Sequence, residues 1–189
     1  MFKKFSISVI LLMTLMVGIS NAAFAETPDE TRAKLNKMST EVLERMYKNF
    51  PQVKGYVENA YAYVTISSSS VKLGFWGTDR GRGIAVNNVT GKKVYVKMSE
   101  VTVGLNIGAK EYDLLFIVDN EDAWNKLIYG NVKFGTEATA TASDSVNGKT
   151  YTDATIVSDG VWVYQVNKKG LAVELTIKGG RISPYRTLN

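Results

Sequence analysis

The sequence contains no histidine and no cysteine. Without histidine it lacks the side chain that most often acts as a general base or metal ligand near neutral pH, and it can form no Ser–His or Cys–His pair. Without cysteine it has no disulfides, no thiol nucleophile and no thiolate metal site. Any catalysis would have to use carboxylates or a serine with a lysine, and the stability has to come from the packed core.

Two short motifs have the spacing of catalytic or phosphate-binding sequences but an unsuitable context. Ser69 and Lys72 satisfy Ser-x-x-Lys, which needs a helix, yet they follow a strand-like run. Residues 148–150 (Gly-Lys-Thr) resemble the end of a phosphate-binding loop, but Ser143 replaces the earlier glycine. We therefore predict a protein that is not an enzyme and has neither cofactor nor metal ion. A glycosidase with paired carboxylates, or calcium bound at residues 119–122, are the alternatives.

The N-terminal segment has the three parts of a secretory signal peptide. Two lysines precede an uncharged run at residues 5–19, and residues 23–25 (Ala-Phe-Ala) supply the cleavage pattern. The run is shorter than the roughly 20 residues that a membrane-spanning helix needs. We expect cleavage after Ala25, export to the periplasm with peripheral association at a membrane, and a single domain over residues 26–189.

Hydrophobic periodicity predicts a helix followed by strands. Residues 26–50 begin with a Thr-Pro-Asp-Glu start signal, carry apolar residues at three- and four-residue steps and stop at Pro51. Residues 61–182 show mostly short runs of alternating polarity, and residues 123–129 have a helical pattern behind acidic residues. The predicted strands are residues 61–67, 93–98, 101–107, 114–118, 155–157, 161–166 and 171–177. The sequence thus predicts an α+β fold: a mainly antiparallel sheet, curved and sandwich- or barrel-like, with an N-terminal amphipathic helix and one short internal helix.

Basic side chains occur in two places that suit an anionic surface. On the N-terminal helix they flank the apolar stripe, as in helices that lie on membranes, although a helix packed on its own domain is the plainer interpretation. Residues 75–82 place two aromatic residues near two arginines in a glycine-rich stretch that we expect to be flexible. The alternative there is aromatic residues in the core and solvated arginines. The candidate contacts are Lys34, Lys37, Arg45, Lys48, Trp76, Arg80 and Arg82.

Four segments within residues 61–182 have the order and spacing of motifs from one known family. They are Ser70-Val71-Lys72-Leu73-Gly74-Phe75, Gly104-Leu105-Asn106-Ile107-Gly108-Ala109-Lys110, Leu114-Leu115-Phe116, and Lys169-Gly170-Leu171-Ala172-Val173-Glu174-Leu175 continuing to Arg181-Ile182. Together they resemble the SYLF domain, a lipid-binding module that is also described as actin-binding in eukaryotic members and is found in exported bacterial proteins.

The resemblance implies binding of anionic lipid headgroups and adds Lys72, which lies on a matched motif, to the candidate contacts. For an exported bacterial protein it implies anionic phospholipid or a membrane surface as the partner, and actin is not expected there. We also expect no nucleic-acid partner. The excess of 23 basic over 18 acidic residues permits such attraction without requiring it. The alternative is an envelope structural or protein-interaction module with a protein partner and no lipid specificity.

Overall fold

The computed structural model describes residues 26–73, 76–103, 108–130, 133–134, 151–168 and 180–189. Within these ranges the chain forms three helices and an eight-stranded antiparallel sheet, which confirms the α+β class. The helices are α1 (Pro28–Asn49), α2 (Val53–Asn59) and α3 (Glu121–Tyr129). The strands are β1 (Ala62–Leu73), β2 (Trp76–Asn87), β3 (Lys93–Val103), β4 (Gly108–Val118), β5 (Lys133–Phe134), β6 (Thr155–Ser158), β7 (Val161–Asn167) and β8 (Gly180–Pro184). The signal peptide and the strand predicted at residues 171–177 lie outside the described residues.

The sheet has the strand order β5-β8-β3-β2-β1-β4-β7-β6, and every neighbouring pair is antiparallel. Strand β1 lies near the middle, between β2 and β4, and is paired with both along almost its whole length. Since neighbouring strands β1, β2 and β3 are also consecutive in the chain, this part of the sheet is an antiparallel meander.

Both faces of the sheet are covered by helices. Because side chains alternate along a strand, neighbouring residues of β4 face opposite helices. Phe116 packs with Trp124 and Leu127 of α3 on one face, whereas Leu115 and Ile117 pack in a second cluster with α1 and α2 on the other. We call these faces the α3 side and the α1 side. Among the helices in the described ranges, none is long and apolar enough to cross a membrane.

Helix α1 lies inside the predicted range and has a capping box at its start. The Thr27 hydroxyl accepts a hydrogen bond from the backbone N–H of Glu30, and the Glu30 carboxylate accepts one from the backbone N–H of Thr27. These two contacts satisfy backbone donors that a helix start would otherwise leave unpaired. The apolar stripe of the helix faces the sheet, where Val42 and Met46 are fully buried.

Helix α2 and strand β2 are among the segments that differ from the prediction. Helix α2 was not expected, because its seven residues are too few to show a clear helical period and they include Gly55. Residues 76–87, expected to be flexible in their glycine-rich first half, form strand β2 instead. The backbones of β1 and β2 are packed closely at Gly83, where a Cβ atom would lie 1.9 Å from the carbonyl oxygen of Thr65. Glycine fits at this close approach because it has no Cβ atom, so the glycines here are compatible with a strand and do not require a loop.

Candidate functional site

A row of polar residues crosses the sheet on the α1 side. Asp113 in β4 is opposite Ser67 in β1, which is opposite Arg82 in β2, and the row continues through Lys97 in β3 to Ser183 in β8. Asp113 is fully buried, whereas Arg82 and Lys97 are exposed. The row therefore begins beneath helix α1 and continues to side chains that are exposed to solvent.

The buried end of the row is an ion pair with α1. The Nε of Arg45 donates to the Oδ2 of Asp113 at 2.6 Å, with the Arg45 side chain 29% exposed and that of Asp113 fully buried. In the next row of the sheet, Ser39 of α1 shares a 2.7 Å hydrogen bond with Thr65. A carboxylate without solvent access needs a counter-charge, so the pair fixes α1 on the sheet.

Beyond α1 the row opens into a groove with a volume of about 720 Å³. This volume lies within the range of small-molecule sites, which is roughly 300–1,000 Å³. Helix α1 supplies an apolar wall, the sheet supplies a basic floor, and the C-terminal segment supplies an aromatic wall. The residues that line it include Leu35, Met38, Arg82, Lys97, Lys168 and Tyr185.

The groove carries uncompensated positive charge. Arg82 and Lys97 stand directly opposite each other on neighbouring strands, an arrangement that destabilises a sheet when the charges are alike. Among the described side chains, neither has a carboxylate within ion-pair distance, and the Arg82 guanidinium lies over the Tyr185 ring, 5.8 Å from its centroid. Lys168 is partly balanced, since its Nζ lies 3.4 Å from the Oε2 of Glu111. A ligand with negative charge would relieve the repulsion between Arg82 and Lys97.

The C-terminal segment holds the aromatic wall in place. The backbone N–H of Tyr185 donates to the carbonyl of Tyr95 at 2.8 Å, and the Asn189 side chain makes two 2.8 Å hydrogen bonds with the backbone of Tyr95. Leu188 is buried against Leu35 and Ile84. These contacts position Tyr185 beside Arg82.

The predicted contacts on α1 separate into two groups. Lys34, Lys37 and Lys48 are exposed to solvent, whereas Arg45 is committed to Asp113 as described above. Lys34 lies 2.7 Å from a carboxylate oxygen of Glu26, and this hydrogen bond raises the pKa of Lys34 above its ordinary value. The structure therefore leaves three exposed lysines on the helix that borders the groove.

The remaining predicted contacts lie on the hairpin of β1 and β2. Arg82 lines the groove. Arg80 is two residues away along β2 and opposite Ser99, while Lys72 and Trp76 lie near the end of the hairpin. The side chains of Lys72, Trp76 and Arg80 lie outside the described part of the structure, so their roles stay predictions.

Sequence reasoning missed Lys97, Lys168 and Tyr185 as companions of Arg82. The four residues come from strands β2 and β3, the end of β7 and the C-terminal segment, and they meet only through the register of the sheet. Alternating polarity in β3 gave a signal that Lys97 faces away from the core, but nothing local indicated which residues would stand beside it.

The acidic segment considered for calcium has structural contacts instead. Asp119 accepts hydrogen bonds from the Tyr151 hydroxyl and, at 3.2 Å, from Nε1 of Trp162. Asn120 caps α3 by accepting from the backbone N–H of Ala123 at 2.9 Å. Burial, helped by the hydrogen bond to Asp119, raises the pKa of Tyr151. Within the described ranges, no group of three or more carboxylates converges as a metal site.

Comparison with known proteins places part of this chain in a family. Residues 99–189 match the family model described as Ysc84, Las17-binding protein actin regulator. A protein of Aeromonas veronii named Beta cell expansion factor A is 30% identical over 157 residues, which cover 82% of this chain and 58% of that protein. The chain thus spans little more than half the length of that relative. The match from residue 99 onward includes Lys168 and Tyr185 of the groove, and it shows that residues 99–189 belong to the Ysc84 family, the SYLF family that the motifs of the chain resemble.

Proposed function

We propose that this protein is a non-enzymatic module that binds anionic phospholipid headgroups at a membrane surface, with its α1 side facing the membrane. The observation that carries the proposal is the pair of unbalanced cations, Arg82 and Lys97, opposite each other in an open groove. A like-charge pair costs stability in the free protein, and an anionic ligand offsets that cost.

The helix beside the groove adds to the attraction. Lys34, Lys37 and Lys48 are exposed on α1, which packs on the same face of the sheet as the groove. Each basic residue near an anionic surface contributes on the order of 1 kcal/mol, so a handful acting together gives weak, salt-sensitive association. The apolar wall formed by Leu35 and Met38 would then contact the less polar part of the lipid.

Family membership supports a binding role over catalysis, and the sequence, which lacks histidine, agrees with that role. The N-terminal pattern supports export, so the membrane in our proposal is one that faces the periplasm. The family description names Las17 binding and actin regulation. A protein partner is therefore the competing hypothesis, and the test has to separate it from lipid.

Cosedimentation with vesicles tests the proposal. The purified protein is mixed with vesicles of phosphatidylcholine alone or with added phosphatidylglycerol, at low and at high salt. We expect binding only when the anionic lipid is present, and less of it at high salt because ions screen exposed charges. Absence of binding to both vesicles would refute the proposal and favour a protein partner.

A further inference from the structure

We propose that the groove is a discrete site for one phosphate group of a headgroup, and that it prefers a phosphomonoester to a phosphodiester. The inference rests on the proposed function, because it concerns the same groove, but it makes a separate claim. A charged surface would attract any anion in proportion to its charge, whereas a site of this kind binds one phosphate in a fixed position.

The charge of the site matches a dianion. Arg82 and Lys97 are both unpaired among the described side chains, so a ligand with two negative charges would neutralise them. A phosphomonoester carries about −1.5 to −2 at neutral pH, whereas a diester carries a single charge. Since the guanidinium of Arg82 presents a planar fork of donors, it can hold two phosphate oxygens while Lys97 neutralises the third.

Neutral donors surround the two cations. Ser67, Ser99 and Ser183 line the groove, and Ser67 and Ser183 stand in the same cross-strand row as Arg82 and Lys97. Hydroxyl groups donate hydrogen bonds to phosphate oxygens without adding a charge that would repel them. Terminal oxygens of a monoester outnumber those of a diester, so the monoester can use more of these donors.

The walls of the groove suit the rest of a headgroup. Leu35 and Met38 of α1 offer apolar contact on one side, and the ring of Tyr185 stacks beside Arg82 on the other. A cation–π contact at this distance would limit the motion of the guanidinium and so lower the entropy that Arg82 loses when it binds a ligand. The site is thus partly formed before the ligand arrives.

The preference has a pH dependence that arises from the ligand. Among the described side chains, the charged groups that face the groove are Arg82, Lys97 and Lys168, with Glu111 beside Lys168 and the buried Arg45–Asp113 pair at the end of the row. Arg181 adjoins it, in register with Ser99.

Arginine and lysine keep their charge between pH 5 and 7.5, carboxylates are ionised over most of that range, and the sequence has no histidine. The second ionisation of a phosphomonoester falls near pH 6. Affinity for the monoester should therefore rise through this range, while affinity for the diester stays level.

Nuclear magnetic resonance titration of the protein with soluble headgroups tests the site without a membrane. The probes are glycerol 3-phosphate, glycerophosphoglycerol and inorganic phosphate, each at pH 5 and pH 7.5. We expect one glycerol 3-phosphate per protein, with several-fold tighter binding at pH 7.5, and weaker, pH-independent binding of the diester. Inorganic phosphate tests whether the glycerol contributes: binding as tight as that of glycerol 3-phosphate would overturn the headgroup assignment and leave a free-phosphate site.

Substitutions locate the binding. Arg82→Gln and Lys97→Gln should each weaken glycerol 3-phosphate binding roughly tenfold, since each removes a charge-assisted hydrogen bond. The matched control is Lys92→Gln, which replaces an exposed lysine at the β2–β3 turn. It should change the affinity for glycerol 3-phosphate by less than about twofold. Both groove variants should keep or gain thermal stability, because each removes one half of a like-charge pair.

The outcomes separate the two proposals. If Arg82→Gln and Lys92→Gln weaken glycerol 3-phosphate binding equally, or if the monoester and the diester bind equally well, the phosphate site is refuted. Neither result would contradict the proposal that the protein binds anionic vesicles. Groove-dependent binding of glycerol 3-phosphate by a protein that ignores anionic vesicles would support the site and refute the membrane proposal.

Discussion

At the scale of single residues, the same side-chain type serves opposite purposes in this protein. Arg45 and Arg82 both lie on the α1 side of the sheet, yet Arg45 is 2.6 Å from the buried carboxylate of Asp113 and Arg82 has no described carboxylate partner. Arg45 is thus placed to stabilise the fold and Arg82 to bind a ligand. Burial of the partner, which the sequence does not show, decides between the two roles.

Replacing Arg45 by Gln should lower the free energy of unfolding by about 3 kcal/mol, because it leaves the carboxylate of Asp113 buried without a counter-charge. Urea unfolding measures the change. Lys48→Gln, an exposed position on the same helix, is the control and should lie within about 0.5 kcal/mol of the parent. The double variant Arg45→Met with Asp113→Leu should recover most of the loss; if it does not, the destabilisation comes from something other than the unpaired charge.

The residue scale also shows where sequence reasoning stops. The sequence indicated Arg82 because it belongs to an aromatic and basic cluster, and the helical period placed lysines on the flanks of the apolar stripe of α1. Lys97 and Tyr185 carry no comparable local signal. They join the groove only because β3 pairs with β2 on one edge and with β8 on the other.

At the scale of elements, glycine has different consequences in a strand and in a helix. Gly83 lies in β2, where a Cβ atom would meet the backbone of Thr65 at 1.9 Å, so neither side can yield without shifting the strands. Gly55 lies in α2, and a Cβ atom there would meet nothing within 4 Å. The alanine substitutions should therefore change stability in opposite directions.

We expect Gly83→Ala to destabilise the protein by about 2 kcal/mol through overpacking. Gly55→Ala should stabilise it by about 0.5–1 kcal/mol, because alanine loses less conformational freedom than glycine in a helix. The midpoints of urea unfolding give both values. A neutral Gly83→Ala variant would mean that β1 and β2 are not packed as closely as described.

The elements differ in how well the sequence predicted them. Long periodic segments such as α1 and β7 were predicted close to their observed bounds, because their apolar faces are continuous. The residues of β3 were split into two predicted strands because the polar residues Ser99 and Glu100 interrupt the pattern. Helix α2 and strand β2 escaped prediction because helix packing and strand pairing, rather than local preference, determine them.

At the scale of the whole molecule, stability should depend on pH in the alkaline range. Burial raises the pKa of both Tyr151 and Tyr164 well above the ordinary value of about 10, and Asp119 adds to the effect on Tyr151. A group whose pKa is higher in the folded state contributes stability that is complete below its unfolded pKa and is lost as the pH rises through the folded value. This contribution should therefore hold up to about pH 10 and decline above it.

Urea unfolding at pH 8 and pH 11 checks this expectation. The parent protein should lose stability between the two, and Tyr151→Phe should lose less, because the variant has one fewer buried phenol to ionise. At pH 8 the variant should be less stable than the parent by about 1–2 kcal/mol, since the hydrogen bond to Asp119 is gone. If the stability of both proteins falls equally between pH 8 and pH 11, ionisation of Tyr151 does not contribute to the pH dependence.

The central claim is that anionic membranes are bound through the α1 side, and a comparison of two charge-matched double variants tests it most directly. Arg82→Gln with Lys97→Gln removes two charges from the groove. Lys92→Gln with Lys126→Gln removes two from the α3 side, where Lys126 lies in α3 and Lys92 contacts Tyr129 at its end.

The measurement is the affinity of each double variant for phosphatidylglycerol vesicles at low salt. We predict that the groove variant binds roughly 30-fold more weakly than the parent, from about 1 kcal/mol for each lost charge, while the α3-side variant stays within about threefold. Equal losses would contradict the account, because they would mean that net charge alone, and no particular face of the molecule, determines membrane binding.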